Sequence, residues 1–314
     1  GEADLFRYFD VIKPGYVLPG QYYMPPFEHE LIEETDEYRI ERNDRGVIQK
    51  VQKINASVPN YIDYPIKTRR NYKELKERLS PRTAERYPKD WDNIAALMRA
   101  QDRAVVCTHM DGFFGYPREL MGVENFLLML YDDIDLVKEI IDDRVEFYIA
   151  VYEKAIKDTR PDFAFIWEDM CYKNGPLISP AMFRELMLPA YKKLTSFLKD
   201  MGVRNIIVDS DGDVLKLISL WLEGGVTGLL PFEVTAGMDI VSIAGDYPDM
   251  QILGGIDKHE IAKGKEAIDR ELKRVLPAMM KRGGYCAALD HWVPPYIDLE
   301  SYAYFVEKVR EFKL

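Results

Sequence analysis

Three aspartates stand at alternate positions in the segment NIIVDSDGDV, residues 205–214, directly after a short apolar run. Like charges this close repel one another, so a bound cation, a helix cap or solvent should compensate them. Their spacing matches the first ligands of an EF-hand loop, which also needs Gly at its sixth position and Glu at its twelfth. Counted from Asp209, these positions hold Val214 and Leu220, which excludes an EF-hand. A simpler interpretation stays open, in which Asp213 caps a helix that begins at Val214.

Polar side chains also follow other short apolar runs. The runs that we predict as strands are AVVCTH (104–109), DFAFIWED (162–169), NIIVDSD (205–211), TGLLPFE (227–233), QILGGID (251–257) and YCAALDH (285–291). At or just after their C-terminal ends stand His109 and Asp111, Glu168 and Asp169, Asp209 and Asp211, Glu233, Asp257, and Asp290 and His291. Two of the chain's four histidines belong to this set.

These runs alternate with amphipathic stretches that we predict as helices near 119–131, 134–158, 180–201, 213–223, 259–282 and 299–312. Strands alternating with helices indicate βαβ units and a parallel sheet. In a closed barrel all strand ends converge on one face, where the loops build the site. An open sheet would gather them only at its switch point. The repeated polar strand ends therefore predict an α/β fold, a (β/α)8 TIM barrel with one functional rim.

The first part of the chain differs from the rest and is rich in Tyr and Pro. The stretch DEYRIERNDRGVIQKVQKI, residues 36–54, predicts two strands joined by a turn at 43–46. We predict an N-terminal extension over residues 1–75, packed on a barrel that occupies residues 76–314. A separate N-terminal domain is the alternative.

Composition limits the possible partners. The 53 acidic and 42 basic residues give a net charge of −11, which disfavours nucleic acid and anionic membranes as partners. No apolar run reaches the roughly 18 residues of a membrane helix. The three cysteines are widely spaced, which indicates a reducing compartment and predicts a cytoplasmic protein.

Oxygen donors joined by one imidazole on a common rim suit a divalent metal ion. We predict Asp209, Asp211 and His291 as metal ligands, and Glu168, Asp211 and His291 as catalytic residues. The predicted substrate-binding residues are His109, Asp169, Glu233, Asp257 and Lys258. Two alternatives stay open, because His291 could simply be hydrogen-bonded and Glu168 could cap the following loop.

Four segments carry a more specific signal, in order and in spacing. They are DFAFIWEDMCYKNGPLISPAMFRELMLPAYKKL, VDSDGDVLKLISLWLEGGVTGLLPFE, ILGGIDK and DHWVPP. They resemble the uroporphyrinogen decarboxylase superfamily, which includes true decarboxylases and cobamide-dependent methyltransferases. The resemblance covers about residues 85–314 and implies a (β/α)8 barrel, whose opening strand would precede residue 1.

Within the superfamily, the resemblance favours methyl transfer over decarboxylation. True decarboxylases carry an N-terminal motif similar to Arg-Gln-Ala-Gly-Arg, which residues 1–90 lack. Their polycarboxylate substrate calls for arginines, whereas the rim expected here is acidic. In thiol-methylating relatives, a His-X-Cys-Gly motif and a later Cys hold zinc. Asp209-Ser210-Asp211-Gly212 and Asp290-His291 replace them here, which implies zinc or a harder divalent ion.

The expected function is methyl transfer that involves a separate corrinoid-binding protein. The metal would activate a thiol acceptor, or polarise a methoxy oxygen in the reverse sense. A cofactor-free decarboxylase is the first alternative. A non-catalytic barrel that binds a small molecule or a corrinoid protein is the second.

Overall fold

The computed structural model describes residues 5–11, 15–17, 19–54, 58–100 and 105–313, without the side chains of residues 105–109. The chain forms two compact units. The first unit comprises Gly1–Tyr16, Ala100–Asp111 and Pro161–Leu314, and the second comprises Val17–Arg99 and Gly112–Arg160. Within the described ranges, no helix has the length and apolar character needed to cross a membrane.

The strands are numbered along the chain: β1 Gly15–Val17, β2 Glu30–Glu34, β3 Tyr38–Arg42, β4 Ile48–Gln52, β5 Asn60–Asp63, β6 Val105–Asp111, β7 Phe163–Trp167, β8 Cys171–Tyr172, β9 Gly175–Pro176, β10 Asn205–Asp209, β11 Gly228–Leu230, β12 Gln251–Leu253 and β13 Tyr285–Cys286.

The helices are numbered likewise: α1 Leu5–Tyr8, α2 Arg69–Lys76, α3 Trp91–Arg99, α4 Gly115–Met121, α5 Val123–Asp132, α6 Ile134–Thr159, α7 Pro180–Leu186, α8 Leu188–Asp200, α9 Ile218–Glu223, α10 Ile240–Asp246, α11 Lys258–Ile261, α12 Lys265–Arg282 and α13 Leu299–Glu311.

A parallel sheet forms the centre of the first unit. Hydrogen bonds connect the strands in the order β1-β6-β7-β10-β11-β12-β13. Each consecutive pair from β6 to β13 is parallel. All six predicted runs contain a strand of this sheet, so the α/β fold with a parallel sheet is confirmed. The hydrogen bonds of the described residues end at β1 and β13, and closure into a barrel stays a prediction.

Helix boundaries follow the local sequence signals. Ser179 caps α7 by accepting a hydrogen bond from the Met182 N–H, and Asp298 caps α13 in the same way. The helix predicted over 119–131 is divided at Gly122, whose φ of 79° is incompatible with a continuous helix. The predicted start at Val214 is wrong, because α9 begins only at Ile218.

The second unit contains an antiparallel sheet in the order β2-β3-β4-β5, together with helices α2 to α6. The predicted hairpin is confirmed as β3 and β4, which pair from Tyr38↔Gln52 to Arg42↔Ile48. The Asn43 side chain stabilises the turn by accepting hydrogen bonds from the N–H groups of Arg45 and Val47. The domain boundary near residue 75 stays a prediction.

Candidate functional site

Three side chains from separate strand ends meet in the first unit. Asp211, Glu233 and His291 each offer one ligand atom, and these atoms all lie within 4.8 Å of one another. His291 Nε2 is 3.2 Å from Asp211 Oδ2. All three side chains are partly exposed, so a solute can reach them. We call these residues the three-donor cluster.

The loop that follows β10 bends at Gly212. Its N–H donates a hydrogen bond to Glu233 Oε2 at 3.0 Å, which ties the loop carrying Asp211 to a second member of the cluster. Its φ is 81°, and a Cβ here would lie 2.7 Å from the carbonyl groups of Cys171 and Tyr172. Only glycine meets both requirements without moving the backbone.

We expect Gly212→Ala to destabilise the protein more than Gly202→Ala does. Gly202 also has a positive φ, but a Cβ there meets nothing within 4 Å, so its substitution costs only the left-handed strain of about 1–2 kcal/mol. At Gly212 the same strain is joined by a backbone collision. Urea denaturation of both variants provides the comparison, and equal losses would contradict the close approach.

Asp209 ends β10 and lies beside the cluster. Its carbonyl accepts a hydrogen bond from the Glu168 N–H at 2.8 Å. Burial, together with the charges of Asp211 and Asp169, raises the pKa of the Asp209 carboxyl to about 8. The pKa of Asp211 is also raised by burial, although the charge of His291 lowers it in part. The carboxylates therefore repel one another in the absence of a cation.

Metal-free protein should lose stability as pH rises from about 4 to about 8. An unfolded aspartate titrates near about 3.9, whereas Asp209 titrates at about 8, so folding disfavours its charged form between these values. Asp209→Asn stays neutral, so its stability advantage over the native sequence should grow across this window. Urea denaturation in a chelator at pH 5 and pH 8 measures the difference. Asp200→Asn, at an exposed position, is the control, and identical pH profiles for Asp209→Asn and the native protein would refute the expectation.

Glu168 is fully buried, and its carboxylate accepts a hydrogen bond from the Tyr191 hydroxyl. Tyr191 lies on α8 and is itself fully buried. Tyr191 did not stand out in the sequence, because an aromatic residue in an amphipathic helix is typical of a core position. The catalytic role predicted for Glu168 stays a prediction.

Two of the predicted substrate-binding residues begin helix α11. Asp257 caps this helix, since its Oδ1 accepts a hydrogen bond from the His259 N–H at 2.8 Å. Lys258 points toward the cluster, with Nζ 3.9 Å from Glu233 Oε1 and 3.3 Å from Asp290 Oδ2. Asp290 is completely buried, and the sequence had assigned it no role of its own.

The remaining predicted site residues are placed less fully. Asp169 follows β7 with a φ of 46°, in the left-handed region. The side chain of His109 lies outside the described residues. Asp213 does not cap a helix, but its Oδ1 accepts a hydrogen bond from the Leu215 N–H and so closes a local turn. This turn explains why helix α9 starts late.

The three-donor cluster has the chemistry of a metal site. Two carboxylates and one imidazole suit a divalent ion of borderline or hard character, such as zinc, manganese or iron. Two donor atoms that bind one ion at about 2.0–2.2 Å lie at most about 4.4 Å apart. The donor atoms of the cluster lie within 4.8 Å of one another, so at most a small closure would bring them to one ion. Glu233, expected to bind substrate, belongs to this set. Asp209 does not, and its role as a ligand stays a prediction.

Comparisons with known proteins agree on one family. A family model described as uroporphyrinogen decarboxylase (URO-D) matches residues 49–312. Curated proteins described as uroporphyrinogen decarboxylase from Syntrophotalea carbinolica and Geobacter metallireducens are 28% identical to the chain over 137 and 138 residues, respectively. Each alignment covers 43% of this chain and 38% of the relative, so the chain spans well under half of the relatives' length.

A solved structure supports the fold independently. A methyltransferase from Methanosarcina mazei superposes with a TM-score of 0.58, over 81% of this chain and 72% of that chain. The sequences are 17% identical, so this likeness concerns the fold.

Proposed function

The chain belongs to the uroporphyrinogen decarboxylase (URO-D) family, as its segments predicted, and on this premise we propose that it is a metal-assisted methyltransferase that works with a corrinoid-binding protein. The observation that carries the proposal is the three-donor cluster, Asp211, Glu233 and His291. The methyltransferase from Methanosarcina mazei, which shares the fold, is consistent with it.

The scaffold that we propose is a closed (β/α)8 barrel. Asp211 and His291 follow β10 and β13, which are three steps apart in the sheet. In a flat sheet, three steps of about 4.8 Å would separate these strands by about 14 Å. Their side chains are nevertheless 3.2 Å apart. Such an approach is typical of strand ends on a strongly curved sheet.

Charge at the strand ends favours a cation over an anionic substrate. The described strand ends carry the carboxylates of Asp111, Glu168, Asp169, Asp209, Asp211, Glu233, Asp257 and Asp290, together with the ammonium of Lys258 and the imidazole of His291. A polycarboxylate substrate would be repelled here, since its recognition calls for arginines. A divalent ion would instead relieve the repulsion that raises the pKa values of Asp209 and Asp211.

Each residue has a distinct part in the proposed reaction. Asp211, Glu233 and His291 would hold the ion, and Asp209, at the end of the strand that Asp211 follows, would be a further ligand candidate. When bound, the ion supplies Lewis acidity, either to a thiol acceptor or to a methoxy oxygen. Lys258 Nζ, 3.9 Å from Glu233 Oε1, would hold the carboxylate at the oxygen opposite the one bound by the Gly212 N–H.

Decarboxylation is a second candidate, favoured by the two curated relatives described as uroporphyrinogen decarboxylase. It predicts turnover that needs neither a metal nor a corrinoid. The charge of the strand ends argues against a porphyrinogen with many carboxylates, so we rank this activity second.

The test combines metal analysis with an activity assay. We expect purified protein to bind one equivalent of Zn²⁺ or Mn²⁺, and to transfer a methyl group either from methylcobalamin to small thiols or from methoxy compounds to cob(I)alamin. A chelator should abolish the transfer. No bound ion together with chelator-resistant release of CO₂ from a porphyrinogen would establish the decarboxylase. Ligand-induced melting shifts without turnover would indicate a binding protein.

A further inference from the structure

Asp290 is a completely buried carboxylate directly before His291. Its Oδ2 accepts a hydrogen bond from the Val234 N–H at 2.9 Å, and its Oδ1 accepts one from the Lys258 N–H at 3.1 Å. The ammonium of Lys258 completes the set at 3.3 Å from Oδ2. A buried carboxylate is costly unless its oxygens are occupied in this way.

These contacts connect two members of the three-donor cluster through their neighbours. Val234 follows Glu233 in the chain, and Asp290 precedes His291. The Asp290 N–H donates to the Ile256 carbonyl at 2.8 Å, which fixes the loop after β13 to the loop after β12. The contacts of Asp290 therefore fix the backbone next to Glu233 and next to His291, two of the three donors.

We propose that Asp290 is the positioning residue of the three-donor cluster, which holds Glu233 and His291 at the separation that one divalent ion requires. This inference rests on the proposed metal site and deepens it. Asp290 is not itself a ligand, because its oxygens are already engaged by two N–H groups and one ammonium. Groups that orient metal ligands in this way change metal affinity about 10–100-fold when they are altered.

Asp290→Asn is the first test, because it preserves shape and removes one acceptor. All three partners of Asp290 are donors, so the new amide must face at least one of them with its NH₂ group. We expect the affinity for Zn²⁺, measured by competition with a chromophoric chelator, to fall about 10–100-fold. Asp298→Ala, which removes the α13 cap, should cost stability without changing Zn²⁺ affinity.

Two further variants separate positioning from charge and guard against misfolding. The double variant Asp290→Asn with Lys258→Met has the same net charge as the native protein but lacks the Asp290 carboxylate. If Asp290 acts by positioning, the Zn²⁺ affinity of the double variant should stay weak. Full recovery of the affinity would overturn the positioning role in favour of electrostatics. Val234→Pro removes one N–H donor and turns a ring carbon toward Asp290 Oδ2 in its place, at the first position of a 3₁₀ turn, where the helix itself needs no N–H. It should weaken Zn²⁺ binding at least about threefold, consistent with a lost orienting contact.

Crystal structures of the metal-free proteins distinguish failure of this inference from failure of the proposed function. If the native protein binds no Zn²⁺, the proposed function fails, but the positioning role is still measured by geometry. Asp290→Asn should then lengthen the His291–Asp211 distance of 3.2 Å and the Gly212–Glu233 distance of 3.0 Å. Unchanged distances, or Zn²⁺ affinity equal to that of a native protein that binds the ion, would overturn the inference.

Discussion

Replacing Asp211 with alanine is expected to weaken binding of a divalent ion by about 100-fold or more, because the effect of losing a ligand exceeds the 10–100-fold effect of altering its support. Asp211 contacts His291, and its ligand atom lies within 4.8 Å of that of Glu233. Loss of Asp211 therefore leaves two donors in the three-donor cluster. Methyl transfer should fall with the ion. Isothermal titration calorimetry with Zn²⁺ and Mn²⁺ measures the affinity directly.

Metal-free Asp211→Ala should be at least as stable as the native chain, since the variant removes a carboxylate whose pKa is raised by burial and by neighbouring acids. This expectation separates ligand loss from misfolding. Asp213→Ala is the matched control, because Asp213 lies in the same loop and the one described hydrogen bond of its side chain is accepted from the Leu215 N–H. Native affinity in Asp211→Ala, or an equal loss in Asp213→Ala, would remove Asp211 from the site.

Replacing Arg86 with methionine is expected to cost about 3–5 kcal/mol of unfolding free energy, because it removes several hydrogen bonds from a charged donor to backbone carbonyls, each of which contributes about 1.5–3 kcal/mol. The guanidinium is 1% exposed, and burial together with Arg144 lowers the pKa of Arg86 to about 10. It also lies over the Phe147 ring, 4.6 Å from the centroid. Its N–H groups donate to the carbonyls of Ser80, Gly20, Tyr22 and Arg78.

These four carbonyls come from two separate segments of the second unit, and methionine can satisfy none of them. The Thr83 hydroxyl and the Met24 N–H still donate to the carbonyls of Ser80 and Arg78, so the loss concerns mainly the carbonyls of Gly20 and Tyr22. Arg86→Lys should recover only part of the loss, because an ammonium cannot reproduce the planar fork. Urea denaturation followed by circular dichroism measures the change. Arg70→Met, at a position that is 84% exposed, should be nearly neutral, and a similarly small effect at Arg86 would refute its structural role.

Local patterns in the chain were sufficient to predict most elements of the fold. The strands β6, β7, β10, β11, β12 and β13 all overlap the predicted runs, because short β-branched segments between amphipathic stretches have few alternatives. The caps at Ser179 and Asp298 were equally readable, since capping depends on residues close in sequence. Helix α10 was missed, because its seven residues are too few to show a clear period.

The sequence also indicated which strand ends carry polar groups, but not which of them meet. Asp211 and His291 are 80 residues apart, and their contact depends on how the strands and the loops after them bring distant segments together. For the same reason Glu233, rather than Asp209, joins the described donor group. Strand register and turn geometry decide which carboxylate joins the cluster, since the Gly212 N–H connects the loop after β10 to the Glu233 carboxylate.

Residue type and spacing by themselves determined the family, the parallel α/β fold and an acidic set of strand ends that disfavours anionic ligands. Tertiary structure alone decided the membership of the three-donor cluster, the Tyr191 partner of Glu168 and the burial of Asp290. The physical reason is the separation along the sequence over which each effect acts. Strand and cap preferences act over a few residues, whereas donor geometry and desolvation are set by segments brought together from distant parts of the chain.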